Sequence, residues 1–186
     1  MTPVYKSEDE SLFSNYRPVA ILPCFSKVLE KLTYKRLIGY IEKRKILHDK
    51  QYGFRKSHST ELALIDLATK LADAIENGTF TVGITFLDLS KAFDTVDHTI
   101  MIAKLEHYGI WGVTIALEWF KNYLTNRSKV VKIKNIITES WKVLCAVPQG
   151  SVLGPLLFLI LINEISKCSK LLSFILFEVI QIFLLT

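Results

Sequence analysis

Two strings in this chain carry residue types that can do chemistry. The first is Phe86-Leu87-Asp88-Leu89-Ser90-Lys91-Ala92-Phe93-Asp94. An apolar run ends on a carboxylate and is followed by a tight turn, which puts an oxygen ligand at the end of a strand. Mg²⁺ takes oxygen ligands and keeps several waters, so a few carboxylates at strand ends are enough to hold it. The second string is Val147-Pro148-Gln149-Gly150-Ser151, a Pro-Gln-Gly loop that opens an apolar helix. Gly150 lets another group approach the backbone closely. Taken alone, Asp88 also fits a turn- or helix-capping aspartate, and Phe93 a packing residue.

The surrounding pattern supplies elements to position these strings. Asn15-Tyr16-Arg17-Pro18 leads into a predicted strand, Val19 to Leu22, with a proline at its start. Ser26 is placed to cap a helix running to about Arg44, with Phe25, Val28, Leu29, Leu32, Leu37, Ile38 and Ile41 at helical spacing. Ser59 caps a second helix, stopped by Asn77-Gly78. Phe80 to Leu89 reads as a strand, and Asp97 as the cap of a helix ending before Gly109. A further helix is expected from about Val113 to Leu124, then a hairpin turning near Asn135. Gly154-Pro155 opens the apolar helix Leu156 to Ile165. The tail, Leu171 to Leu185, is almost wholly apolar but includes Glu178 and Gln181. It is shorter than the roughly 20 apolar residues a membrane-spanning helix needs, so a buried strand pair is expected and no membrane association.

The net charge of +5 is sharply partitioned. Residues 26–56 hold ten Lys/Arg against three Asp/Glu, and residues 121–142 six against one. Between them, residues 57–120 hold three against nine. Basic clusters attract phosphate backbones and an acidic centre suits a divalent metal, although solvated helix faces give the same pattern. Cys24, Cys145 and Cys168 are scattered without metal-ligand spacing, which fits structural cysteines in a reducing compartment. The polar N-terminus does not read as a signal or transit peptide. The expected location is therefore intracellular, nucleus or cytoplasm.

Four ordered motifs resemble the reverse transcriptase of non-LTR retrotransposons, the jockey-like long interspersed elements. They are Asn15-Tyr16-Arg17-Pro18, Gln51-Tyr52-Gly53-Phe54-Arg55, Phe86 to His98, and Val147 to Pro155. The resemblance runs from about Thr2 to the C-terminus. It implies an α+β fold: an incomplete right-hand polymerase with fingers at 1–79 and a partial palm at 80–186, whose antiparallel sheet is backed by helices. It also implies RNA-templated DNA synthesis, in which two Mg²⁺ (or Mn²⁺) ions roughly 3.5–4 Å apart assist nucleotidyl transfer. The implied partners are an RNA template, a DNA primer and deoxynucleoside triphosphates.

Residue by residue, the resemblance makes Asp88 the first metal-binding aspartate and Leu89 a metal ligand through its backbone carbonyl. Phe93 corresponds to the aromatic steric gate beneath the sugar. Gln149 and Gly150 correspond to the loop touching incoming nucleotide and template. Arg17 and Lys27 match the region that holds the triphosphate. Arg55 is either a phosphate contact on the nucleic acid or a structural salt-bridge partner. Asp94 is given no metal role and is read as ordering the turn. One departure is plain: where the family has paired aspartates at a hairpin tip, this chain reads Leu176-Phe177-Glu178-Val179-Ile180-Gln181. Glu178 falls where the family has alanine. The expectation is a chain truncated at both ends, without a thumb, and inactive as written. A non-catalytic nucleic-acid-binding module is the alternative, and a membrane-associated protein is a remoter one. If folded alone, the tail strands are expected to leave an exposed apolar edge.

Overall fold

Residues Thr2–Tyr5 (β1) and Tyr16–Val19 (β2) form an antiparallel ribbon in which Pro3 faces Pro18. A two-stranded ribbon tolerates prolines because each strand has an outward edge that needs no N–H. The partner strand pulls β2 forward, so it ends at Val19 rather than running on to Leu22. The computed structural model describes residues 1–6, 8–78, 83–89, 91–110, 114–133, 135–177 and 180–185. They divide into two units, one of residues 1–38 and 93–158, the other of 39–92 and 159–186.

The first unit contains the ribbon and the start of helix α1, Cys24–Lys43. The Lys27 amide already bonds the Pro23 carbonyl at 3.2 Å, so α1 is entered two residues before Ser26. Only part of its predicted apolar face is covered. Leu37 and Ile41 are buried, but Phe25, Val28, Leu29 and Leu32 are exposed, Phe25 by 86%. Helical spacing marks an apolar stripe without saying which stripe is covered, and α1 carries two.

Helices α3 (His98–His107) and α4 (Thr114–Leu124) pack together in this unit. Asp97 caps α3 as expected, accepting the Ile100 amide at 2.9 Å. The expected hairpin is built from short pairs. Strands β4 (Ser128–Lys129) and β7 (Trp141–Lys142) enclose β5 (Lys132–Ile133) and β6 (Ile136–Ile137). Helix α5 is Gly154–Ile162, and the remaining residues of its predicted span tighten into a 3-10 turn, Asn163–Lys167. Leu156 to Ile160 are all at most 2% exposed, the signature of a helix apolar on every side and buried throughout. No helix of the described residues is long and apolar enough to cross a membrane.

In the second unit, helix α2 (Thr60–Glu76) packs on a three-stranded antiparallel sheet. Ser59 caps it, accepting the Leu62 amide at 3.4 Å. The sheet order is β3 (Gly83–Asp88), β9 (Ile180–Leu185), β8 (Leu172–Phe177). The start of the predicted strand, residues 80–82, lies outside the described residues. The tail is a strand pair, as expected, but it is not the exposed edge. β9 is central, and β8 is flanked by the bonds Leu176 N to Lys50 O (2.9 Å) and Tyr52 N to Leu176 O (2.7 Å). The open edge is β3, where Phe86 and Leu87 are exposed. The three cysteines, read as structural, are exposed free thiols, so none is a core residue.

The core of this unit gathers Ala63, Ile175 and Ile182, with Tyr52, Leu67, Leu71 and Ile84 against them. Ile175 is fully buried there. Ile175→Ala is expected to lower stability by about 2–5 kcal/mol, the usual cost of lost apolar contact plus a cavity. Urea denaturation checks this, and a loss below about 1 kcal/mol would mean the site collapses or is not packed.

Candidate functional site

The second unit holds Asp88. In the sheet register Asp88 faces Ile180, and Ile180 in turn faces Phe177. The end of β3 therefore lies level with the end of β8 and the start of β9. Asp88 is exposed at that end and Leu89 follows half-buried. Glu178 and Val179, which follow Phe177 in sequence, lie outside the described residues. Among the described residues no group of three or more His, Cys, Asp or Glu side chains is gathered to hold a metal ion. Asp88 is a single carboxylate, and the described donors do not fit a pair of divalent ions.

Arg55 lies in this unit as well. Its Nη1 donates to the His48 and Gln51 carbonyls at 3.1 and 3.3 Å, so the guanidinium braces its own loop. Gln51, at the head of that loop, is only 1% exposed.

The first unit holds the Pro-Gln-Gly loop. Its entry is tied to the segment after Asp88: the Val147 amide donates to Phe93 O and the Ala146 amide to Val96 O, both at 2.8 Å. Ala146 has φ 97°, a left-handed conformation costly for a residue with a Cβ. The buried His98 ring meets the Ala146 carbonyl through Nε2 at 2.8 Å. Past the entry, the Gln149 carbonyl accepts the Ala20 amide at 2.8 Å, just beyond the end of β2. Gly150 has φ 98°, and a Cβ there would lie 3.3 Å from Ala20 O, so the position suits glycine on both counts.

The structure thus brings together Phe93, Asp94, Gln149 and Gly150. Gln149 Nε2 donates to Asp94 Oδ2 at 3.2 Å. The Phe93 ring packs against Phe158, centroids 5.4 Å apart. Arg17 and Lys27 are both exposed, on β2 and in the first turn of α1.

Beneath the loop lies a polar cluster the sequence did not single out. Glu30, 1% exposed, accepts the Val152 amide at Oε2 (2.6 Å) and the Tyr123 hydroxyl at Oε1 (3.1 Å). The Tyr123 ring stacks on Trp119, with centroids 5.2 Å apart, and the Arg127 guanidinium lies over it at 5.0 Å. The one sequence signal was the i, i+4 and i+8 spacing of Trp119, Tyr123 and Arg127 on α4 and the start of the hairpin. Burial, with the neighbouring Glu30 charge adding to it, pushes the Tyr123 phenol up to about 12.

The chain matches the reverse transcriptase (RNA-dependent DNA polymerase) family over residues 5–177. It belongs to that family. Over 150 residues it is 34% identical to the probable RNA-directed DNA polymerase from transposon BS of Drosophila melanogaster, covering 77% of this chain and 16% of that protein. The RNA-directed DNA polymerase from the mobile element jockey of the same species is 31% identical over 150 residues, 81% of this chain and 16% of that protein. A Pol polyprotein from the type-1 retrotransposable element R2 of Popillia japonica is 29% identical over 157 residues, 82% of this chain and 20% of that protein. The chain therefore spans a fifth or less of each of these relatives. The four motifs read from the sequence begin and end inside or near the matched range.

The Tyr123 phenol gives this reverse transcriptase chain an alkaline signature. Its proton is held to about 12 when folded and leaves near 10 when unfolded. The contribution is fully present below pH ~10 and is lost as pH rises from ~10 to ~12. Urea melts across that window should show wild type losing stability more steeply than Tyr123→Phe. Parallel curves would contradict it.

Proposed function

We propose that the chain is the fingers, 1–79, and part of the palm, 80–186, of a non-LTR retrotransposon reverse transcriptase that does not carry out nucleotidyl transfer as written. The observation that supports this most directly is the register. Asp88 sits level with Phe177 and Ile180, which bracket the place where the family's paired aspartates belong, and the sequence there is Phe177-Glu178-Val179-Ile180. One aspartate cannot hold two ions against a triphosphate and a primer hydroxyl.

The remaining roles are carried over residue by residue. Phe93 lies beside the sugar as a steric gate, packed from behind by Phe158. Gln149 and Gly150 touch the incoming nucleotide and template. Arg17 and Lys27 hold the triphosphate, and Arg55 contacts a phosphate of the nucleic acid. The setting is inside the cell, in nucleus or cytoplasm. Primer extension on an RNA template with Mg²⁺ or Mn²⁺ should give no product above that of Asp88→Ala. Extension by the purified chain that disappears in Asp88→Ala would overturn the reading.

A second reading, template binding without chemistry, is favoured by the exposed cations of the two basic segments. Lys27, Lys31, Lys35, Arg36, Lys129 and Lys132 are all exposed. Binding of an RNA–DNA duplex should weaken steeply with salt, log K falling with log salt at a slope of roughly −0.7 to −0.9 per phosphate neutralised. Absence of binding at low salt, or salt-independent binding, would remove it.

A further inference from the structure

A carboxylate as buried as Glu30 is tolerated only when its oxygens are fully engaged. Both of its donors serve the same stretch of chain. Val152 follows Gly150 by two residues. Tyr123, besides donating to Glu30, lies within hydrogen-bonding reach of Ser151. The Ser151 hydroxyl accepts the Gly154 amide at 3.0 Å, and a Cβ on Gly154 would stand 2.7 Å from that oxygen. The exit of the Pro-Gln-Gly loop is thus fastened through Glu30, Tyr123 and Ser151. Its entry is fastened by the Phe93 and Val96 carbonyls. Between these anchors lies Gly150, in a conformation few residues adopt.

We infer that Glu30 is a positioning residue for the Gln149–Gly150 loop. It touches no substrate. It fixes the backbone at Val152, and with it the peptide that Gln149 and Gly150 present. The nucleotide half of this inference rests on the function proposed above; the loop-holding half does not. Every residue in it belongs to the first unit. Asp94 completes the arrangement from the other side by holding the Gln149 amide.

The test uses the full chain and two variants. Glu30→Gln keeps the shape and removes the charge. Tyr123→Phe removes one of the two donors and serves also if Glu30→Gln does not fold. Amide hydrogen exchange is read by NMR. Glu30→Gln should speed exchange at Gly150–Val152 about tenfold, the step from a charge-assisted to a neutral hydrogen bond. Tyr123→Phe should give a smaller local rise, roughly threefold. The amides of α3 should not change, whereas a merely structural role would loosen α3 and the loop together. Titration of dTTP onto the chain bound to poly(rA)–oligo(dT), followed at the Gly150 amide, should be about tenfold weaker in Glu30→Gln. Unchanged loop exchange, or uniform loosening of the unit, overturns the inference. A loosened loop with unaltered dTTP affinity overturns its nucleotide half. If wild type shows no dTTP response while Glu30→Gln still loosens the loop, the nucleotide reading fails and the loop-holding role of Glu30 stands.

Discussion

The backbone of residues 145–152 cannot satisfy itself. Pro148 has no amide hydrogen, Ala146 and Gly150 are left-handed, and the local pairing within the loop is the Ser151 amide to the Pro148 carbonyl at 3.0 Å. Buried backbone polar groups must find partners, so the loop depends on others for them. Phe93 and Val96 supply carbonyls, Ala20 an amide, and Glu30 a carboxylate. The ends of β2, α1 and the segment before α3 are all drawn to one irregular stretch. Much of the first unit is arranged to meet that demand, and Gln149 and Gly150 are among the residues so held.

What could be read beforehand was local. Ser59 and Asp97 cap helices because their side chains replace missing intrahelical acceptors, a demand set by neighbours three residues away. The apolar tail forms paired strands because its length suits two short strands better than one span. The Pro-Gln-Gly loop was legible too, because Gly150 suits the left-handed backbone that the loop adopts there. Long-range partners were not legible. Nothing near Glu30 in sequence announces Val152 or Tyr123, and its acidic type in a basic segment hides its burial. The exposed stripe of α1 failed for a related reason: Phe25, Val28, Leu29 and Leu32 have helical spacing, but covering a stripe needs an opposing surface, and spacing does not supply one.

The same contrast separates the residues singled out in the first unit from Asp88 in the second. Gln149 and Asp94 are joined by a side-chain hydrogen bond of 3.2 Å, which weakens steadily as the loop is displaced. Asp88 is placed by a strand register, which a sheet fixes without further help. A register moves in whole residues, and a slip by one would turn Asp88 to the opposite face. Its position is therefore either right or wholly wrong, whereas that of Gln149 can be spoiled by degrees.

The order of strands in the second unit has a consequence in time. Gly83 faces Leu185 in the sheet, so the central strand is the last of the three to leave the ribosome. Among the described residues β9 is the strand partner of β3, so until it arrives Phe86 and Leu87 stand on a strand that lacks it. Contacts between residues so distant in sequence form slowly, because a long loop must close before any of them is gained. A strand that waits for so distant a partner leaves its backbone unpaired meanwhile, the condition under which strand edges pair with other chains.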